Sequence, residues 1–455
     1  MNIETIAAIA TSPGKGGIGV IRVAGPKASE ACKKLTGRLT IDHVATYLKF
    51  KGFNNEILDE GITIFFKGPH SFTGDDIVEF QCHGGPVIMD LILKEVLSIE
   101  GIRQAGPGEF SKRAFLNGKI DLTQAEAIID LINASSTTAA LSATRSLQGC
   151  FSQKINEIND ELIHLRTYVE ATIDFPDESI DFINDGQVKE QLNVIQNHLT
   201  KILKEAEQGV ILQEGMKIVI AGKPNAGKSS LLNALCGKNL AIVTDIEGTT
   251  RDVIHENIDI DGLPLHIVDT AGLRSHTSDI IEQIGISRAW EEINNANRIL
   301  FVYDVSRTDD AEQLTQFIDI RNKTGNSVPF TIICNKIDLV GRSPELPNEL
   351  SAYTQIPLCA KTGQGLNELK DHLKQCIGYT NTTEGLFSAR RRHLQAIEKA
   401  QNCINTALEL INNSSAFELC AEELRNAQNY LGEILGRFTA DDLLGKIFNT
   451  FCVGK

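Results

Sequence analysis

The chain is 455 residues long, room for about three domains each with its own core, and 42% apolar with 23% charged residues is the composition of an ordinary globular protein. No apolar run is long enough to cross a bilayer, and ten cysteines without paired spacing or a CxxC exclude a disulfide framework or a zinc site, so the chain reads as cytoplasmic with no membrane insertion. The formal charge of -15, nine units of which fall between residues 120 and 213, argues against indiscriminate nucleic-acid binding but leaves room for a local basic patch.

Residues 1–118 read as an α+β domain, with β-rich runs "ETIAAIA", "IGVIRVA", "GITIFFK" and "DIVEFQC" and a helical stretch "VIMDLILKEVLSIE". From 119 to 213 the pattern is helical. Thr123 and Glu126 have capping-box spacing, and Ile155, Ile158, Leu162, Leu165, Val169 and Ile173 recur at steps of three and four, which predicts a core-facing stripe. Between 214 and 379 buried-strand runs "KIVIAG", "LPLHIVDTAG", "ANRILFVYDV" and "VPFTIICNKID" alternate with helical stretches. Residues 380–455 are helical again. The economical architecture is a multidomain α/β chain: an α+β domain in front, then a discontinuous all-α helical domain (119–213 and 380–455) with a nucleotide domain (214–379) inserted in it.

Two glycine loops compete for a phosphate. Gly14, Gly16 and Gly19 spell GxGxxG, but the residues that follow, "VIRVAG", are a β run, whereas a dinucleotide fold needs a helix there. The second loop, Gly222, Gly227, Lys228 and Ser229 in GxxxxGKS spacing, follows the strand "KIVIAG" and precedes the helix "SSLLNALCG". Backbone amides of such a loop cradle phosphates, Lys228 reaches the β and γ oxygens, and the Ser229 hydroxyl binds Mg2+.

Further motifs complete a GTPase. In "NKID", Asn335 to Asp338, a carboxylate after a buried strand can accept both N1–H and the exocyclic amine of guanine, which adenine cannot offer together. "DTAG", Asp269, Thr270, Ala271 and Gly272, supplies a carboxylate near Mg2+ and an amide for the γ-phosphate, and Thr249 or Thr250 of "EGTTRD" closes over the metal. Leu273 stands where a Ras-like enzyme places the glutamine that orients water, so that role falls to another residue.

Together with "IAAIATSPGKGGIGVIRVAG", "DIVEFQCHGGPV", "PGEFSKRAFLNGKIDLTQAEAIIDLI", "IVTDIEGTTRD", "IGISRAW" and the terminal "FCVGK", these motifs make the chain resemble the MnmE (TrmE) family of tRNA-modification GTPases over essentially its whole length. The fold the resemblance implies is an N-terminal α+β domain that binds folate and dimerises, a helical domain and a Ras-like P-loop GTPase domain. It assigns GTP to Asn225, Ala226, Gly227, Lys228, Ser229 and Ser230, to Thr244, Asp245, Ile246, Glu247, Gly248, Thr249 and Thr250, to the DTAG residues, to Asn335, Lys336 and Asp338, and to Cys359, Ala360 and Lys361. Cys359 stands where the family usually has serine.

The resemblance further implies Mg2+ on Ser229 and Thr250, K+ on Asn225, Thr244, Ile246 and Thr249, and catalysis by Lys228 with Glu282 positioning the water in place of the residue missing at Leu273. Arg22, Glu79, Lys119 and Lys455 would hold 5-formyltetrahydrofolate or a related reduced folate, a role that suits Arg and Lys toward carboxylates and Glu toward pterin N–H groups. A homodimer working with the FAD-carrying partner MnmG (GidA), in a heterotetrameric or larger complex, would place a carboxymethylaminomethyl or aminomethyl group on C5 of the wobble uridine, position 34, of certain tRNAs. GTP hydrolysis would drive conformational change. The competing reading is a regulatory or ribosome-assembly GTPase whose front domain only dimerises. Arg390, Arg391 and Arg392 are candidates for an RNA surface, against the alternative of a solvated helix face.

Overall fold

The structure, a computed structural model, describes residues 4–52, 54–174, 187–237, 255–269, 290, 293–307, 311–325, 327–340, 346–379, 386–413, 416–437 and 441–454. It divides into two compact units: Met1–Ile129, Ile155–Pro176 and Phe417–Lys455 form one, Asp130–Lys154 and Asp177–Ala416 the other.

The first unit is built on a six-stranded sheet of order β3-β4-β5-β2-β1-β6. Its strands are β1 (Thr5–Ile9), β2 (Gly16–Ala24), β3 (Thr46–Lys51), β4 (Ile57–Phe66), β5 (Ile77–Gly84) and β6 (Ile102–Gln104). All neighbours are antiparallel except β1 and β6. Alternation along β2 and β5 sends Ile21, Val23, Val78 and Phe80 into a core with helices α1 (Ala28–Thr36) and α2 (Pro86–Leu97). The intervening residues belong to the opposite face, where Ala24 and Ile77 pack on Phe110 of helix α3 (Glu109–Leu116), so Arg22 and Glu79 also fall on that side. The sequence reading named neither α1 and β3 nor the short β6 and α3. In α1, Ala28, Ala31, Cys32 and Leu35 have helical spacing but small side chains, and β3 carries lysines and a tyrosine on its exposed face.

Helical segments complete the unit. Of the predicted stripe, Ile155, Ile158, Leu162, Leu165 and Val169 are buried along the helix Cys150–Asp174, while Ile173 near its end is only half-buried. Arg166 on that helix donates to Gln428 Oε1 of the helix Phe417–Leu435 at 2.6 Å. Ile447 and Phe448 of the helix Asp441–Asn449 pack with Leu122, Ala125 and Phe451.

In the second unit the helices Gln187–Glu214 and Arg391–Asn413 run side by side, pinned by Gln401 Nε2 donating to Thr200 Oγ1 at 2.8 Å. A second six-stranded sheet has the order β12-β11-β10-β7-β9-β8. Its strands are β7 (Met216–Ala221), β8 (His255–Ile260), β9 (Leu263–Asp269), β10 (Arg298–Asp304), β11 (Phe330–Asn335) and β12 (Thr354–Leu358), parallel except for the β8–β9 hairpin. Chain order reverses at β7, which lies between β9 and β10. The carboxyl end of β7 is therefore the place where a parallel sheet of this kind opens a crevice for a ligand.

Candidate GTP site and N-terminal pocket

The phosphate-loop motif sits at that crevice, between β7 and the helix Lys228–Cys236. Its backbone needs left-handed residues: Gly222 has φ 142°, Asn225 φ 66° and Gly227, at the N-cap, φ 106°. Lys228 folds back to donate to the carbonyls of Gly222 at 2.7 Å and Lys223 at 3.1 Å. Ser229 and Ser230 are exposed in the first helical turn, where amides and dipole favour anions. In register β9 pairs Asp269 with Ile220, which brings the start of DTAG beside the start of this loop.

The guanine motif is laced to it. Asn335 closes β11 and is 2% exposed; its Nδ2 donates to Ala226 O at 2.8 Å, and its Oδ1 accepts from Ala360 N at 3.0 Å. One side chain thus joins the phosphate loop, the NKID loop and the Cys359–Lys361 segment. A Cβ on Gly227 would overlap Asn335 Nδ2, so glycine is required there by close approach as well as by φ. Asp338 is exposed in the turn after β11, and Cys359 and Ala360 are buried with Lys361 exposed. Thr244 to Thr250, Thr270 to Gly272 and Glu282 lie outside the described residues.

The N-terminal candidates converge from distant positions. Arg22 Nε donates to Glu79 Oε1 at 2.8 Å across the β2–β5 register, and its guanidinium lies 5.8 Å from the Phe72 ring centroid and 5.7 Å from that of Phe110. Arg22 also donates to the carbonyl of Gly454 at 3.4 Å. The tail reaches this position because Val453 bridges Pro107 and Gly108 N donates to Cys452 O at 3.3 Å. Lys119, exposed, donates to Pro69 O at 2.9 Å, and Pro69 belongs to the same loop as Phe72. Arg22 and Lys119 therefore both border the loop of Pro69 and Phe72, Glu79 joins the cluster through Arg22, and the residue before Lys455 lies at Arg22; Lys455 itself lies outside the described residues.

Side chains to which the sequence reading gave no role support this cluster. Glu109 accepts from Arg103 at 2.6 Å, from Arg113 at 3.2 Å and from Gly106 N at 2.9 Å. Burial pushes its acid up, but the Arg103 and Gly106 hydrogen bonds win and hold it at about 2. Glu109 thereby anchors α3, which carries Phe110 under Arg22. Phe72 and Phe110 could have been found only from the sheet's facing. All ten cysteines are free; burial pushes Cys82 up to about 12 and Cys334 and Cys420 up to about 11, so these three are inert thiols near neutrality. Of the arginine triplet, Arg390 donates to the buried Asp130 at 2.7 Å and Arg391 pairs with Glu214 at 2.8 Å. Both are therefore engaged inside the chain.

Residues 5–119 match the N-terminus of GTP-binding protein TrmE, and residues 122–452 match the MnmE helical domain. The tRNA modification GTPase MnmE of Photobacterium profundum is 54% identical over 452 residues, 99% of each chain. That of Pasteurella multocida is 55% identical over 452 residues, 99% of this chain and 100% of that one. Among solved structures, the G domain of the T. maritima FeoB iron transporter is 23% identical, covering 35% of this chain and 98% of that one with a TM-score of 0.28, too low a score to bear on the fold. From matches that span the chain and relatives of this identity, the protein belongs to the MnmE (TrmE) family.

Proposed function

We propose that this chain hydrolyses GTP to GDP and phosphate as part of a tRNA-modifying assembly. The observation that carries the GTP reading is the pair of hydrogen bonds made by Asn335, which ties the phosphate loop to the base-reading segments. The names of the relatives, tRNA modification GTPases at 54 to 55% identity over the full length, support the RNA role. The domains are 1–118, 119–213 with 380–455, and 214–379.

The residues present suit the groups they would hold. Ser229, exposed at a helix start, offers Mg2+ a hydroxyl, with Thr250 the second ligand. Asn225, an exposed amide in the left-handed region, with Thr244, Ile246 and Thr249 makes the oxygen set for K+. Bound there, the two cations supply positive charge to the phosphates. Lys228 neutralises the transferred phosphoryl group, and Glu282 orients the attacking water. Arg22, Glu79, Lys119 and Lys455 would hold a 5-formyltetrahydrofolate-type cofactor, whose bound form supplies a one-carbon unit. Arg22, with two aromatic rings beside it and a carboxylate partner, suits such a planar anionic group. The chain acts as a homodimer in the cytoplasm with MnmG, which carries FAD, on C5 of the wobble uridine.

The test is mass spectrometry of tRNA nucleosides from cells lacking this gene, complemented with wild type or Asp338→Asn. Loss of the C5-modified wobble uridine, restored by wild type only, is expected; unchanged nucleosides would move the protein to the regulatory or ribosome-assembly class. Matched potassium and sodium salts test the monovalent ion separately, since equal hydrolysis rates in both would remove it.

A further inference from the structure

We infer that Asp304 is a positioning residue for guanine recognition: by holding the Lys336 ammonium it keeps Lys336 in a left-handed backbone conformation and so sets how Asp338 is presented to the base. The inference rests on the GTP reading of the NKID loop.

Asp304 ends β10 directly beside Asn335, its register partner at the end of β11. Its side chain is 6% exposed, and a carboxylate so placed must be paired. Oδ2 accepts from Lys336 Nζ at 2.5 Å, and Oδ1 accepts from Ser306 N at 3.0 Å and Ser306 Oγ at 2.5 Å. Burial raises its acid, but these bonds outweigh it and hold the group below the usual carboxylate range.

The carboxylate is itself strapped down. Gln313, 1% exposed, accepts from Asp304 N at 2.8 Å and donates to Asp304 O at 3.3 Å and to Arg307 O at 3.0 Å. A buried amide that bonds both the end of β10 and the turn after it makes a rigid post.

Lys336 needs that post. Its φ is 68°, a conformation unfavourable for a side-chain-bearing residue that persists only where surroundings over-determine it. On one side of it Asn335 is locked to Ala226 and Ala360; on the other Asp338 is exposed. Releasing Lys336 leaves Asn335 in place but frees the direction of the following turn. Asp304 is buried and acts through Lys336, next to the base-reading Asp338, so its effect must show as base selectivity rather than as phosphate binding.

The experiment is calorimetric titration of the full-length chain with GDP and with inosine diphosphate, which lacks the exocyclic amine that Asp338 accepts. For Asp304→Asn the preference for GDP over inosine diphosphate should fall by about tenfold, the loss of one charge-assisted hydrogen bond, with KM for GTP raised and kcat at saturation kept. Ser306→Ala, at an exposed position, withdraws one bond from the same carboxylate and should reduce the preference by about threefold. If Asp304→Asn does not fold, Ser306→Ala decides. An unchanged preference, or equal weakening of both nucleotides, overturns the inference. Failure of wild type to bind GDP would instead overturn the GTP reading.

Discussion

The phosphate-loop region and the Arg22 cluster bring polar and charged groups together from separated stretches of chain by opposite means. In the second sheet parallel strands end side by side, so loops that are short motifs in sequence meet automatically: Gly222–Ser229 after β7, Asp269 at the end of β9, Asn335–Asp338 after β11. In the first sheet antiparallel strands put Arg22 and Glu79 mid-strand, and the remaining contacts come from a loop at 69–72, a helix at 110 and a tail at 454. A motif marks the first kind of site. Nothing local marks the second, whose residues are ordinary charges until the sheet sets them face to face.

Separating the two sites by mutation is the direct way to break this comparison. Lys228→Ala should lower GTP hydrolysis at least about a hundredfold, because the ammonium meets charge that develops on the phosphoryl oxygens. It donates to backbone carbonyls of its own loop, so reduced-folate binding should be untouched; a parallel loss of both activities would refute the separation. Conversely, Arg22→Ala should weaken 5-formyltetrahydrofolate binding about thirtyfold, read by calorimetry, while the hydrolysis rate stays at wild type.

The role of the distant tail sharpens the contrast further. Gly454 has φ 98° and a Cβ there would overlap Ile9 O, so Gly454→Ala should lift the tail from β1 and weaken folate binding about tenfold. Full affinity in that variant would show that the tail is only an end. The smallest effect concerns the support beneath α3. Glu109, held at about 2 against its usual 4.5, stabilises the fold above pH 4.5, and that stability is lost as pH falls from about 4.5 to about 2. With Arg103 partly exposed the contribution is about 1 kcal/mol. The gap in urea midpoint between wild type and Glu109→Gln should close over that window; a gap that persists at pH 2 would assign the effect to shape rather than charge.

Legibility followed contact range. Period predicted the buried stripe from Ile155 to Val169, the strands β1, β2, β4 and β5, and the strand–loop–helix of the phosphate site, because each is decided by residues within a few turns of one another. The capping box expected at Thr123 and Glu126 is instead made by Asp121, one step outside the helix Leu122–Asn133, and Gln124. The helix α1 and strand β3 were missed because small alanines and surface lysines blur their periods. Asp304 was equally silent: a carboxylate closing a buried run is common, and its importance lies in Lys336, 32 residues away. Resemblance named Arg22, Glu79 and Lys119, but not the two phenylalanines that flank the guanidinium.

By itself, then, the sequence determined the strand–loop–helix of the phosphate loop and, through its motifs, membership of a family of GTP-binding proteins, both consequences of patterns written in contiguous residues. Only the tertiary structure decided that Asn335 couples base to phosphate, that Asp304 braces the base-reading turn, and that the last residues described lie against Arg22. Those are contacts across strand ends and sheet faces, and their partners are chosen by register, which no stretch of sequence carries alone.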